Sequence, residues 1–145
     1  MPIHVVPKPH SDKLQLINNL SAGKFSLNSM IRSESIKGTT LNGLPTLGHE
    51  YQKLHTAHPG EEIIFWKSDV SQAYRQMPMS PYWQIFQIVM IDGQQHVDRC
   101  NPFSGRASLR IWLAFYSLIT WIAVCKRGIS YLVSYVDDNV GMQLR

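Results

Sequence analysis

The chain has 145 residues, 44% hydrophobic and 17% charged, which is single-domain length with apolar content enough for a core and too high for a disordered tail. Fourteen Lys and Arg against ten Asp and Glu give a formal charge of +4, which fits a polyanionic partner without requiring one. Cys100 and Cys125 lack Cys-x-x-Cys spacing, which argues against a disulfide framework or a zinc site and for buried thiols in a reducing compartment.

In chain order, Ile3 to Val6 and Leu14 to Ile17 predict a first hairpin. The link Pro7-Lys8-Pro9-His10-Ser11-Asp12 joins them, and its prolines confine it to an edge. The N-terminus holds no long apolar run, so no signal peptide is expected and an intracellular location is. Asn18 to Asn28 reads as a Ser/Asn-rich loop anchored by Phe25 and Leu27. Leu44 to Ala57 has apolar residues Leu44, Leu47, Tyr51 and Leu54 at helical spacing, and His58-Pro59-Gly60 ends that helix. Glu62 to Lys67 predicts a strand that runs into Asp69, a carboxylate where a sheet meets solvent. Val70 to Met77 suits a short helical turn closed by Pro78 and Pro81. Gln84 to Ile91 and Gln95 to Cys100 predict a hairpin around Asp92-Gly93.

Asn101 to Gly105 breaks the strand, and an apolar helix follows from about Arg106 to Lys126 until Gly128 stops it. Its uncharged part, Ile111 to Cys125, is shorter than the about 20 residues a bilayer asks for, so the expectation is a helix buried in a protein core and no membrane. Ile129 to Val136 predicts a strand, with Val140-Gly141-Met142 returning after a turn through Asp137, Asp138 and Asn139. The order of hairpin, helix, strand, hairpin, long helix and hairpin gives an α+β fold with mainly antiparallel pairing.

Tyr135-Val136-Asp137-Asp138 carries the chemistry. Asp-Asp-Asn by itself is ordinary turn composition, and adjacent strand residues face opposite ways, so one aspartate at a time faces a given partner. Asp69, 68 residues upstream with its own strand, changes the reading. Carboxylates on neighbouring strands suit Mg²⁺ (or Mn²⁺), which takes one or two carboxylates beside phosphates and waters. Two such ions about 4 Å apart suit in-line phosphoryl displacement. His4, His10, His49, His55, His58 and His96 show no paired metal spacing and read as surface or turn residues.

Lys67-Ser68-Asp69-Val70-Ser71-Gln72-Ala73-Tyr74-Arg75-Gln76-Met77-Pro78 resembles the first palm motif of reverse transcriptases, and Tyr135-Val136-Asp137-Asp138 their third. Pro102-Phe103-Ser104-Gly105-Arg106 leading into a helix resembles the second, and Val6-Pro7-Lys8-Pro9 with Lys13 to Asn19 resembles the basic fingers hairpin. The wording is closest to retroelement enzymes of the tyrosine-recombinase (DIRS-like) group. The resemblance implies a fingers-like region at 1–60 and 78–103 and a palm-like region at 61–77 and 104–145, together one compact unit that stops before the thumb. It implies that Asp69 and Asp137 hold the metal with the main-chain carbonyl of Val70, and that Asp138 supports them. Tyr74 would exclude a ribose 2′-OH by its bulk. Lys8, Gln15, Ser104, Gly105 and Arg106 would meet the deoxynucleoside triphosphate, and Lys13 and Arg110 the RNA or DNA template with its primer.

Departures accompany the likeness. Gln15 stands where the family usually has an arginine on the triphosphate, and it lacks the charge and the fork. Asn19, Ser104 and Leu109 stand at the usual Asp, Gly and Pro. The sequence reading expects an RNA-directed DNA polymerase fragment whose partner is a missing thumb and RNase H region, and which does not polymerise alone. The alternatives are an inactive retroelement remnant with weak nucleic-acid affinity and, from another class, a small protein anchored in a membrane by Ile111 to Cys125. On the long helix, Trp112, Phe115, Tyr116, Ile119, Ile122 and Ala123 are read as packing only.

Overall fold

The computed structural model describes residues 1–145. The chain divides into two compact units, Met1–Lys37 with Tyr74–Arg110, and Gly38–Ala73 with Ile111–Arg145. These divisions differ from the fingers-like and palm-like boundaries expected after residues 60, 77 and 103.

In the first unit, β1 (Ile3–Pro7) and β2 (Leu14–Asn18) form the expected hairpin, with Ile3 opposite Asn18 and Pro7 opposite Leu14. The loop is closed by the Lys8 amide, which donates to the Lys13 carbonyl at 2.9 Å. The following loop is anchored by Leu20 and Leu27, both buried, and Leu27 opens the one-turn α1 (Leu27–Met30). Phe25, expected as an anchor, is 81% exposed, because the chain turns at Gly23 and Ser26 and leaves its ring outside. A second departure lies at Pro81. It opens α3 (Pro81–Gln84) where a strand was expected from Gln84, because Pro at the first helical position is preset in φ and loses no needed N–H. The hairpin is therefore shorter, β4 (Ile88–Ile91) with β5 (Gln94–Val97). Asp92 and Gly93 both have positive φ, the backbone of a tight two-residue turn.

Asp98 ties this unit together. It accepts from Arg75 Nη1 at 2.5 Å, Asn18 Nδ2 at 3.3 Å and the Cys100 amide at 3.1 Å. Its charge holds the Arg75 guanidinium above its ordinary pKa, chiefly through that hydrogen bond.

In the second unit, α2 (Leu44–Ala57) and β3 (Ile63–Asp69) match the sequence pattern. β6 (Leu132–Tyr135) and β7 (Asp138–Leu144) complete an antiparallel sheet in the order β3-β7-β6. The strand expected from Ile129 begins only at Leu132, after Tyr131 with φ 53°. On one face of the sheet Tyr51 of α2 stacks on Phe65 at 5.8 Å. On the other face lies α4 (Ser108–Trp121), continued by a π-helical turn, Ile122–Lys126, and stopped by Gly128 at φ 68°. Ser108 to Arg110 belong to the first unit and the rest of α4 to the second.

The expectation that this helix is buried is corrected. Trp112 and Tyr116 are buried, whereas Ile111, Phe115, Leu118, Ile119, Trp121 and Ile122 are exposed. The α and π turns together run over 19 residues, long and apolar enough by length and composition to cross a membrane. The buried-thiol expectation is corrected for Cys125, which lies on this exposed stretch, while Cys100 is half-buried.

Gly141 sits in the centre of β7, opposite Trp66. A Cβ there would stand 2.1 Å from the indole Cε2 and Cζ2 atoms, so the ring can lie across the strand only because no side chain is present. Gly141→Ala should therefore lower stability by about 2 kcal/mol in urea unfolding, the cost of overpacking a filled site. Trp66→Leu should recover part of that loss in the double variant, the coupling expected of residues in contact.

Candidate functional site on the β3-β7-β6 sheet

Seven cross-strand pairs join β3 to β7, and the last is Asp69 opposite Asp138. One further hydrogen bond extends the ladder, from the Val70 amide to the Asp137 carbonyl at 3.0 Å. Residues directly opposed in an antiparallel pair project to the same face with Cβ atoms about 5 Å apart. Asp69 and Asp138 thus share one face, Asp69 exposed and Asp138 half-buried. Lys67, two residues before Asp69, shares that face too. Its Nζ lies 2.9 Å from Asp138 Oδ1. The hydrogen bond and then the charge of Asp138 raise the Lys67 pKa above the usual lysine value, and Asp69 and Asp137 add to it.

Asp137 lies in the turn. Tyr135 pairs with Asp138, so the loop between β6 and β7 is Val136-Asp137, one residue earlier than the Asp137–Asn139 turn the sequence suggested. Val136 has φ 57°. A positive first position matches the twist of a hairpin, but a β-branched residue is strained there. The Trp112 indole N–H fixes the strained peptide by donating to the Val136 carbonyl at 2.8 Å. Trp112 is 1% exposed and, like Tyr116 one turn on, has a role here beyond packing.

Asn139, buried in the central strand, faces the other way from Asp138. Its Oδ1 accepts from Ser134 Oγ at 2.7 Å, and its Nδ2 donates to Ser68 Oγ at 3.2 Å and to the Tyr116 hydroxyl. Ser68 and Ser134 are its register partners on the two flanking strands. One amide therefore clasps all three strands and α4 in the row next to the aspartates.

The structure thus brings Asp69, Val70, Asp137 and Asp138 together within the second unit. No three His, Cys, Asp or Glu side chains gather closely enough to hold a metal by themselves. Carboxylate and main-chain carbonyl oxygens are hard donors of the kind that fit an ion that keeps waters and substrate phosphates among its ligands, and Asp69 is open to solvent.

The other expected residues lie in the first unit. Lys8, Lys13 and Gln15 are exposed on the β1–β2 hairpin. Ser104 Oγ donates to the Asn18 carbonyl at 2.7 Å, and the Ser104 carbonyl accepts from Asn28 Nδ2 at 3.0 Å. A Cβ on Gly105 would meet Ser108 Oγ at 2.3 Å, so the turn before α4 needs a glycine. Arg106 Nη1 donates to the Ile31 carbonyl at 3.2 Å and Arg110 Nη1 to the Ser35 and Lys37 carbonyls. Both guanidiniums thereby hold the 31–37 segment. Tyr74 is half-buried, with its ring edge-on to Phe103 at 5.1 Å. Sequence reasoning missed Lys67, Ser68 and Asn139 as parts of the site, although period-two alternation from Asp69 and Asp138 would have placed Lys67 on their face.

Trp112→Phe keeps an aromatic body and deletes only the donor to the Val136 carbonyl. It should cost about 1–2 kcal/mol. Amide exchange at Val70, whose N–H binds the Asp137 carbonyl, should quicken by more than exchange along β1 and β2.

No protein-family model and no curated protein matches the sequence. Among solved structures, the chain is similar to a foamy viral protease-reverse transcriptase in complex with double-stranded DNA, at 19% identity and a TM-score of 0.66, covering 97% of this chain and 21% of that one. It is also similar to the prototype foamy virus protease-reverse transcriptase, at 15% identity and TM-score 0.61, and to the foamy viral enzyme in complex with an RNA/DNA hybrid, at 17% and 0.60. In both, 97% of this chain covers 16% of the other. The chain therefore spans about a fifth or less of the length of the proteins it matches. The finer likeness to the DIRS-like group gains no support from these structures. They show the fold: the chain is an α+β protein, mainly antiparallel, folded like part of a reverse transcriptase.

Proposed function

We propose that this chain is the part of an RNA-directed DNA polymerase that carries its nucleotidyl-transfer centre, working on a primed RNA or DNA template with deoxynucleoside triphosphates. The observation that supports this most is the closing of the β3-β7 ladder at Asp69 and Asp138, which puts two aspartates 69 residues apart in sequence directly opposite one another. In the reaction a primer 3′-hydroxyl attacks the α-phosphorus and pyrophosphate leaves. Asp69 and Asp137, with the Val70 carbonyl, would hold Mg²⁺ or Mn²⁺, which would lower the charge on the phosphates and favour the attacking oxygen. The chain's own part is positioning. The Asn139 clasp and the Trp112 bond to Val136 keep the acidic turn rigid, which matters because small misplacement of reacting groups costs rate steeply. Lys8, Lys13 and the unspent donors of Arg106 and Arg110 would supply salt-sensitive attraction to phosphates. Tyr74 would set sugar selectivity by shape.

Primer extension on a primed RNA template, by a longer chain that contains these residues, tests the proposal. Asp69→Asn and Asp137→Asn should each lower kcat about a thousandfold while the fold persists. Extension that survives Asp69→Asn would remove the assignment. Tyr74→Ala should raise ribonucleotide use relative to deoxynucleotide use, with template copying retained. An unchanged ratio would mean that another side chain sets sugar choice.

A further inference from the structure

We propose that Lys67 moderates cation binding at the acidic turn: its ammonium engages Asp138 and opposes the charge of a divalent cation held by Asp69 and Asp137. This rests on the metal-binding reading above. Lys67 and Asp138 are diagonal neighbours on one sheet face, since Lys67 is paired with Val140 and Asp69 with Asp138. The 2.9 Å ion pair spans that diagonal. It leaves Lys67 as the one basic side chain of β3 and β7 within the acidic patch, because Arg145 pairs with Glu62 at the opposite end of the ladder. With no cation bound, the ammonium offsets repulsion among three carboxylates. With one bound, it stands close enough to oppose the added charge, so it holds cation affinity below what the carboxylates alone would give.

Mn²⁺ titration of the 145-residue chain, followed by the loss of the free-ion paramagnetic resonance signal, tests this without reference to polymerisation. Lys67→Gln should bind Mn²⁺ about three- to tenfold more tightly at low salt, with the difference shrinking as salt is added. Lys67→Arg, which keeps the charge, should bind like the parent. Asp69→Asn should lose binding in both backgrounds. If the parent binds and Lys67→Gln binds equally or more weakly, whatever its melting temperature, Lys67 is only a structural ion pair and the proposal is overturned. If neither chain binds, or binding persists in Asp69→Asn, the metal site itself is wrong and the proposal falls with it.

Discussion

The β3-β7 register decides where Asp69 and Asp138 stand relative to one another and which face of the sheet they share. Slipping an antiparallel pair by one residue sends each side chain to the opposite face. Asp138 would then stand where Asn139 is, against Tyr116, and an aspartate there could not donate to Ser68. Two locks act against such a slip. Trp66 fits only opposite Gly141, because any other residue of β7 would put a Cβ into the ring. Asn139 satisfies its amide only when Ser68 and Ser134 lie on either side of it. The locks are two residues apart on β7 and rest on different physics, one steric and one polar. Together they place the Asp69–Asp138 pair at the end of the ladder.

A buried amide is costly unless its hydrogen bonds are made, and Asn139 makes them to partners on β3, β6 and α4. The same helix supplies Trp112 to the Val136 carbonyl, one turn before Tyr116. Residues four apart on a helix lie on one face, so a single helical turn braces both the central strand and the strained hairpin loop. The rest of α4 contributes little burial to this unit. That explains why a helix so apolar in sequence has so few buried residues: its structural work here is done by two aromatic side chains that each carry a polar tip.

How much of this was legible in the sequence follows the range of the interactions. The helix Leu44–Ala57 and the strand into Asp69 were readable from spacing and from His58-Pro59-Gly60, since these signals are local. The aspartates were readable as residue types in a familiar motif. The hairpin at Val136-Asp137 was misplaced by one residue because its geometry is imposed on a β-branched residue by Trp112, 24 positions away. The start at Pro81 was read as an end because proline both closes one helix and opens another. Phe25 and the long helix were expected inside because apolarity alone cannot tell which residues have something to pack against. Lys67 was overlooked because its meaning depends on register, which no single strand carries.

The two faces of β7 also explain why the polar work can be divided. On one face, the Asn139 amide is buried and must be paired within the protein, which favours a fixed and neutral network. On the other face, Tyr51 of α2 stacks on a half-exposed Phe65, and Lys67 and Asp69, two and four residues further along β3, are exposed. Charges there keep their hydration, so three carboxylates can gather near one ammonium without the desolvation cost that makes buried ion pairs poor stabilisers. Water also screens their mutual repulsion, and exposed ion pairs of this kind contribute little to folding. The backbone that carries the aspartates is thus held chiefly by groups on the opposite face of the sheet, and their charges need contribute little to its stability. Their charge remains available to a ligand because the fold does not depend on neutralising it.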